Sequence, residues 1–348
     1  MAQKLPKRTQ IVIIGGGIHG CSVAYHLAKQ GWRDVVLLER KQLTSGTTWH
    51  AAGLVGQLQG SHATTGFAKY GIELLQEIES ETGQNPGFHR TGSISIATNE
   101  ERLAELKRKA DFASLFDVEA SFIPTAAIKE SWPLLNAEGV LGGIYMPSDG
   151  SANPTDLTVA LAKGARLHGA TLFENIKVEN VLTDQGRVTG VRTDNVEIQA
   201  EFVVNCTGMW AREFGQKHGV GVPLHACEHY YLVTEPISGL SRNLPVLRSY
   251  CDGTYWNIIR FAFQCADRNP VGLHDDCSAA IVATPGAPAV RCHDISGIHG
   301  AQRECVHPQA SDAWAWKKFA RAAYLKEIDH RSPVHQVRGM RAAALTLV

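Results

Sequence analysis

The sequence predicts an α/β protein in which a domain built on a parallel sheet is interleaved with a second, mixed-sheet α+β domain. Two observations carry this prediction. An apolar, β-branched run at residues 10–15 is followed by three closely spaced glycines, a helical stretch and a second apolar run at 34–40. This order is that of a buried βαβ unit. Beyond it, regular alternation of strand and helix stops, and segments with strand periodicity of two intervene, such as residues 91–98.

Composition narrows the class of protein. The 348 residues carry no net charge, which disfavours a nucleic-acid partner. No apolar run is long enough to cross a membrane. The first residues contain no apolar signal core and no long Arg-rich amphipathic stretch, so we expect a cytoplasmic protein. Eight cysteines without a CxxC pair predict neither a disulfide framework nor a metal site.

The remaining elements follow from apolar periodicity and from glycine and proline punctuation. The first helix ends at Gly31, and another has Pro154 at its start. The sequence predicts further helices at 63–82 and 99–112 and after Trp210, and strands at 139–147, 171–182, 187–193, 197–205 and 229–236.

The glycine-rich turn has the spacing of a dinucleotide-binding motif. Gly15 allows a tight turn, Gly17 allows backbone amides to approach a pyrophosphate, and Gly20 allows the helix to pack closely on the strand. Glu39 ends the second strand, where its carboxylate can accept hydrogen bonds from an adenosine ribose. The acid disfavours a 2′-phosphate and hence NADP. These features predict a Rossmann-like domain but leave NAD and FAD open.

A loop of unusual composition, TSGTTWHAAGL, follows this unit at residues 44–54. Together with GGGIHG and LLER, it is similar to the dimethylglycine and sarcosine dehydrogenase/oxidase family of D-amino-acid-oxidase-like flavoproteins. The similarity continues through SDGSANPTDLTVALAKGARLHGA, VVNCTGMWAREF and HYYLVTEP, and covers about residues 8–256. It implies an FAD-binding domain at 8–88 and 149–222, and substrate-domain segments at 89–148 and 223–256.

The resemblance implies FAD as cofactor and oxidation of a small N-methyl amine, such as sarcosine or dimethylglycine. The electron acceptor stays open, and the folate-binding domain of larger family members is not readable here. Alternatives are a catalytically inactive flavin-binding or regulatory relative, or a truncated product. An NAD-dependent dehydrogenase is the other enzymatic alternative, disfavoured by the Thr/Ser/Gly loop.

Site residues follow from the motif and the resemblance together. The resemblance implies that His50 bonds covalently to the flavin 8α-methyl group, and that His229 and Tyr255 are catalytic residues near the flavin. Trp49 is interpreted as core packing. The cofactor-binding residues predicted are Gly15, Gly17, Gly20, Glu39, Thr44, Ser45, Thr47, Thr48, His50, Gly53, Val178 and Gly208.

Residues 257–348 do not continue this pattern. Strand alternation is weak there, and the late glycine-rich turn typical of the family is not readable. We expect this tail to be a frameshifted, joined or disordered segment, which would leave the C-terminal part of the fold incomplete. Translating the other two reading frames beyond residue 256 tests the frameshift, because one of them should restore strands and the missing turn.

Overall fold

The computed structural model describes residues 4–194, 196–226, 230–234, 240–251, 254–257, 262–265 and 290–294. The strands are β1 Arg8–Ile14, β2 Val35–Leu38, β3 Leu54–Val55, β4 Ser93–Ala97, β5 Ser121–Ile123, β6 Gly142–Met146, β7 Gly150–Ser151, β8 Thr171–Phe173, β9 Val178–Asp184, β10 Arg187–Thr193, β11 Glu197–Asn205, β12 Tyr230–Thr234, β13 Val246–Ser249, β14 Thr254–Asn257, β15 Ala262–Cys265 and β16 Val290–Asp294. The α-helices are α1 Ile18–Lys29, α2 His62–Thr82, α3 Glu100–Ala113, α4 Thr125–Ser131, α5 Pro154–Leu167 and α6 Ala211–Lys217. Single 3-10 turns lie at Thr48–His50, Ser114–Phe116 and Gly208–Trp210.

A six-stranded sheet in the order β8-β2-β1-β11-β10-β9 forms the first layer. Strands β8, β2, β1 and β11 are parallel, and β10 and β9 extend the sheet antiparallel. Strands β1 and β2 are almost entirely buried, because one apolar cluster with residues of α1, α2 and α5 lies on one face and a second apolar cluster lies on the other. This is the Rossmann-like part of the predicted α/β fold.

The second sheet has eight strands in the order β16-β12-β15-β14-β13-β4-β6-β5. Strands β13 and β4 are parallel, and the other pairs are antiparallel. The sheet is therefore mixed, as predicted for the second part, and the fold class is confirmed. A short ribbon of β3 and β7 is separate from both sheets. The exact domain boundaries stay a prediction.

The largest apolar core lies between the first sheet and helices α1, α2 and α5. Helices α1 and α5 approach closely because Gly164 faces the fully buried ring of Tyr25, whose atoms lie 2.7 Å from where a Cβ would be. Cys21 and Cys206 are free thiols beside this core. Burial raises the pKa of Cys21 to about 12 and that of Cys206 to about 11, so both thiols stay protonated at neutral pH.

One expectation about elements is corrected. The strand predicted at 171–182 is two strands, β8 and β9, because Asn175 adopts a positive φ of 61° and turns the chain between them. The helix predicted after Trp210 is confirmed as α6. Within the described residues, no helix combines the length and apolarity needed to span a bilayer.

The carboxylate of Glu81 joins three helices at their ends. It accepts hydrogen bonds from the Tyr25 hydroxyl at 2.7 Å, Lys29 Nζ at 2.9 Å and His168 Nε2 at 2.6 Å. Partial burial acts to raise the pKa of Glu81, but these hydrogen bonds outweigh it and lower the pKa to about 2. Ionised Glu81 therefore stabilises the packing of α1, α2 and the segment after α5.

Replacing Glu81 with glutamine should lower the free energy of unfolding by about 1–2 kcal/mol at neutral pH. Because the folded pKa is depressed, the stabilisation is complete above the ordinary value of 4.5 and is lost as pH falls towards 2. The difference between wild type and Glu81→Gln in urea unfolding should therefore shrink across that window. The Glu77→Gln variant, exposed on the same helix, is the control; a pH-independent difference at Glu81 would contradict the assignment.

Candidate functional site

The glycine-rich turn is fixed between β2 and β11. The Gly15 amide donates to the Leu38 carbonyl at 2.9 Å, and Gly15 has a φ of +110°. A Cβ on Gly15 would lie 2.3 Å from the Cys206 carbonyl oxygen, and one on Gly20 would lie 1.8 Å from the Gly15 carbonyl oxygen. A side chain at either position would clash with a backbone carbonyl oxygen of the protein, so both positions require glycine even without a ligand.

The N-terminus of α1 opens directly from this turn. The Ile18 amide donates to Thr48 Oγ1 at 3.1 Å, and Gly17 at the N-cap has no side-chain cap. Within the described part of the chain, the amides of Gly17 and His19 have no acceptor. Unpaired amides at the positive end of a helix favour an anion. This donor set fits a cofactor pyrophosphate.

Glu39 is almost fully buried at the end of β2. Its carboxylate accepts from the Gly16 amide at 2.6 Å and from the Lys41 amide at 2.9 Å. Each oxygen retains a further lone pair, so a ribose hydroxyl can still donate to the carboxylate.

Gly16 was missed by the sequence reasoning. A Cβ there would lie 2.7 Å from Leu43 and 2.8 Å from the Glu39 side chain. Because Gly16 has no side chain, the turn can approach Glu39 closely enough for the Gly16 amide to donate to its carboxylate. The available signal was the run of three successive glycines, of which the spaced motif uses only the outer two.

The four hydroxyl residues of the 44–48 segment divide into two pairs. Thr44 and Thr48 are buried, and the Thr44 amide donates to the Gly16 carbonyl at 3.0 Å. Thr48 Oγ1 accepts the hydrogen bond from the Ile18 amide, whereas Ser45 and Thr47 are exposed. Thr44 also has a φ of 69°, a strained conformation for a β-branched residue that is typical of ligand-binding segments.

Trp49 and His50 form the end of this segment. Their rings stack with centroids 3.6 Å apart. His50 is half-buried, but Trp49 is 41% exposed, so its interpretation as core packing is wrong. The reason is the 3-10 turn at Thr48–His50, where successive side chains point about 120° apart. The Thr48 side chain points into the protein, and the Trp49 side chain therefore points towards the solvent.

The turn after β11 completes the site from the other side. Gly208 has a φ of +61°, and a Cβ there would lie 3.7 Å from Thr47 Oγ1. The Arg40 guanidinium lies 4.0 Å from the centre of the Trp210 ring. A Cβ on Gly46 would lie 3.5 Å from an atom of the same ring. The segments 15–20, 39–50 and 207–210 are therefore brought together.

Val178 and Gly53 lie at the margins of this site. Val178 begins β9, two residues after Ile176, whose amide donates to the Glu39 carbonyl at 2.8 Å. Gly53 has a φ of +69°, and a Cβ there would lie 2.0 Å from the Ala152 carbonyl oxygen. The close approach of Ala152 is sufficient to require glycine at position 53. The predicted contact of Gly53 with a cofactor therefore stays a prediction.

The chain beyond β3 passes over the second sheet. The Gln57 amide donates to Asp149 Oδ1 at 2.9 Å, and Ser93 Oγ donates to Asp149 Oδ2 at 2.6 Å. Asp149 is fully buried and thereby joins the cofactor side to the second sheet. Sequence reasoning missed it, because its two partners are 92 and 56 residues away.

Tyr255 lies on β14 and is half-buried. It is the Cα partner of Arg248 on β13. His229, the other predicted catalytic residue, lies outside the described residues. The catalytic roles of both residues stay predictions.

A family model described as DAO, FAD dependent oxidoreductase, matches residues 10–262. The chain belongs to this family of FAD-dependent oxidoreductases. The cofactor prediction is thereby confirmed as FAD. The unpaired amides at the N-terminus of α1, the buried Glu39 and the glycine turn are where the chain would hold the adenosine diphosphate part of FAD. The match includes the loop with His50 and reaches past Tyr255.

Named relatives support the same assignment. The chain is 40% identical to human mitochondrial sarcosine dehydrogenase over 260 residues, covering 73% of this chain and 28% of that relative. It is 42% identical to rat mitochondrial dimethylglycine dehydrogenase over 252 residues, covering 72% and 29%. It is also 40% identical to the mouse mitochondrial pyruvate dehydrogenase phosphatase regulatory subunit over 246 residues, covering 70% and 28%. The chain thus matches less than a third of the length of these relatives.

A solved structure agrees with the architecture. The crystal structure of L-proline dehydrogenase from P. horikoshii has a TM-score of 0.68 at 28% identity, over 75% of this chain and 70% of that one. The predicted resemblance to sarcosine and dimethylglycine dehydrogenases is confirmed by the sequence comparisons.

Proposed function

We propose that this oxidoreductase oxidises the C–N bond of a small N-methyl amino acid, such as sarcosine or dimethylglycine. The observation that carries the proposal is the 40–42% identity to sarcosine and dimethylglycine dehydrogenases. The close packing of residues 44–50 against the glycine turn supports it, because this loop carries the most specific part of the resemblance.

Bound FAD would supply the hydride acceptor for this reaction. A hydride leaves the carbon next to the substrate nitrogen, and the nitrogen lone pair forms an iminium that water then hydrolyses. The part of the protein is to orient the amine and to hold the cofactor. Tyr255, on the second sheet, is the described residue proposed to contact the amine, and His229 is proposed to act with it.

His50 is proposed as the covalent attachment point of the flavin. The imidazole nitrogen is a suitable nucleophile, and the ring is held in place by the 3-10 turn and by stacking on Trp49 at 3.6 Å. A tether at this position would keep the flavin from dissociating. It would also fix the ring system beside the segment that leads through β3 towards the second sheet.

A regulatory role without catalysis is the second candidate. It is favoured by the 40% identity to the mouse pyruvate dehydrogenase phosphatase regulatory subunit. Such a protein would keep the fold and the flavin site but would not oxidise an N-methyl amine.

One experiment separates the two candidates. The FAD-loaded full chain is mixed anaerobically with sarcosine, dimethylglycine or glycine betaine, and flavin absorbance is followed. Betaine is the matched control, because its quaternary nitrogen has no lone pair with which to form an iminium. Bleaching by the first two compounds alone, with formaldehyde released, supports the enzyme. A flavin-loaded chain that none of them bleaches contradicts the proposed enzymatic activity and favours the regulatory role.

A further inference from the structure

Trp49 has an outward-facing indole ring directly beside the proposed flavin attachment residue. The residue is 41% exposed, although tryptophan is on average a highly buried side chain. Its ring centroid lies 3.6 Å from that of His50, and the two ring planes are inclined by 33°. His50 itself is half-buried. The two rings therefore form a continuous aromatic contact that leads from His50 to the protein surface.

The backbone holds both rings in place through the 3-10 turn. The His50 amide donates to the Thr47 carbonyl at 3.2 Å. The buried hydroxyl of Thr48 accepts from the Ile18 amide at 3.1 Å, which joins the turn to the N-terminus of α1. The turn that places His50 next to the predicted diphosphate site thus also directs Trp49 outwards.

Exposure alone does not distinguish Trp49 from other tryptophans of the chain. Trp32 is 38% exposed, but it lies just after α1 ends, at the end of this helix that is remote from the glycine turn. Its ring is edge-on to Phe202, with centroids 6.0 Å apart. What sets Trp49 apart is its stacking on the residue proposed to bond the flavin.

The chemistry of the flavin gives this aromatic contact a direction. In the proposed reaction the hydride arrives at N5, whereas the 8α-methyl group that His50 would bond lies on the dimethylbenzene ring, at another edge of the ring system. Bound FAD supplies the store for these electrons. The protein contributes a short aromatic path from the edge at His50 to the exposed face of Trp49.

We propose that Trp49 relays electrons from the reduced flavin to a one-electron acceptor that docks at the protein surface. This inference rests on the proposed function and on the attachment at His50, and it names the class of electron acceptor. Two acceptor molecules each take one electron, the flavin returns to its oxidised form, and one proton is released to water. Trp49 undergoes no net oxidation or reduction, because its indole only shortens the distance between the flavin edge and the acceptor.

The test follows reoxidation of the flavin after its reduction with stoichiometric dithionite, so it requires no amine. In the FAD-loaded full chain, Trp49→Leu should slow reoxidation by ferricenium and by ferricyanide about tenfold, the order of effect of one lost aromatic contact. Reoxidation by oxygen should be unchanged, because oxygen is small enough to reach the flavin itself. Trp49→Phe keeps an aromatic ring and should fall in between. Trp32→Leu is the matched control and should change none of the three rates.

Flavin fluorescence provides a second readout that is independent of turnover. An indole close to a flavin quenches its fluorescence by electron donation, whereas leucine cannot. Trp49→Leu should therefore raise the fluorescence per bound oxidised flavin, and Trp32→Leu should leave it unchanged. Fluorescence that does not respond to Trp49→Leu would contradict the close electronic contact that the relay requires.

A purely structural role for Trp49 would slow reoxidation by all three acceptors equally, and that result overturns the inference. Ferricenium is a cation and ferricyanide an anion, so an effect on only one of them would reflect surface charge and also contradict the relay. If Trp49→Leu does not retain FAD, the test is read from Trp49→Phe, where a wild-type ratio of the ferricyanide rate to the oxygen rate is the contrary result. A chain that shows the expected effect of Trp49 but that no N-methyl amine bleaches contradicts the proposed function alone.

Discussion

Acid denaturation of the His50→Ala variant is expected to release all of its flavin, whereas the wild-type polypeptide should stay yellow. The reason is that a covalent histidyl bond survives unfolding, while every hydrogen bond to the cofactor is lost with the fold. The measurement is flavin absorbance in the protein pellet and in the supernatant after acid precipitation. A flavin-labelled peptide that contains residue 50 would locate the bond.

The His62→Ala variant, in which an exposed histidine at the start of α2 is replaced, is the matched control and should retain its flavin. Before acid treatment, His50→Ala should still bind added FAD, because the glycine turn and Glu39 are unchanged. Flavin that leaves the wild-type chain in acid would eliminate the tether, and flavin that stays with His50→Ala would move it to another residue.

Replacing Gly20 with alanine should destabilise the protein and prevent FAD retention. The added Cβ would lie 1.8 Å from the Gly15 carbonyl oxygen, and that oxygen belongs to backbone that cannot rotate away. Overpacking of this kind costs about 1–3 kcal/mol or more. Because α1 must shift from the turn, its unpaired N-terminal amides would no longer face the pyrophosphate. The urea midpoint and the flavin-to-protein ratio measure the two effects.

Gly66→Ala provides a control of opposite sign. Gly66 lies in the exposed part of α2 and a Cβ there would meet nothing within 4 Å. Alanine in a helix interior is more favourable than glycine by about 1 kcal/mol. Gly66→Ala should therefore raise the urea midpoint and leave the flavin content unchanged. Equal destabilisation of both variants would contradict the proposed contact of Gly20 with Gly15.

The sequence was sufficient for those features that depend on neighbouring residues. The βαβ unit is built from apolar runs and glycines that lie close together in the sequence. The spacing of its apolar residues and the positions of its glycines therefore predicted β1, α1 and β2 closely. Glu39 could be placed at the end of its strand for the same reason. The family resemblance then resolved what the glycine spacing left open, since NAD and FAD use the same turn.

Features that depend on strand register could not be predicted. Which face Arg248 occupies is decided by its pairing with Tyr255 and with Ser95, and a shift by one residue would have turned it into the apolar core. The buried Asp149 is likewise intelligible only once Gln57 and Ser93 are known to meet there. Trp49 shows a different error. A large aromatic side chain was assumed to be buried, but the local 3-10 turn directs it outwards.

The pairing of β1 with β11 has a consequence for the order of synthesis. Strand β1 ends at Ile14, but its partner ends at Asn205, and the tight turn at Gly15 rests against Cys206. A chain leaving the ribosome therefore exposes its glycine motif long before the strand that braces it exists. The nascent chain can form a stable flavin site only after nearly two hundred further residues have emerged. We therefore expect flavin incorporation to follow the emergence of β11, which completes the first sheet.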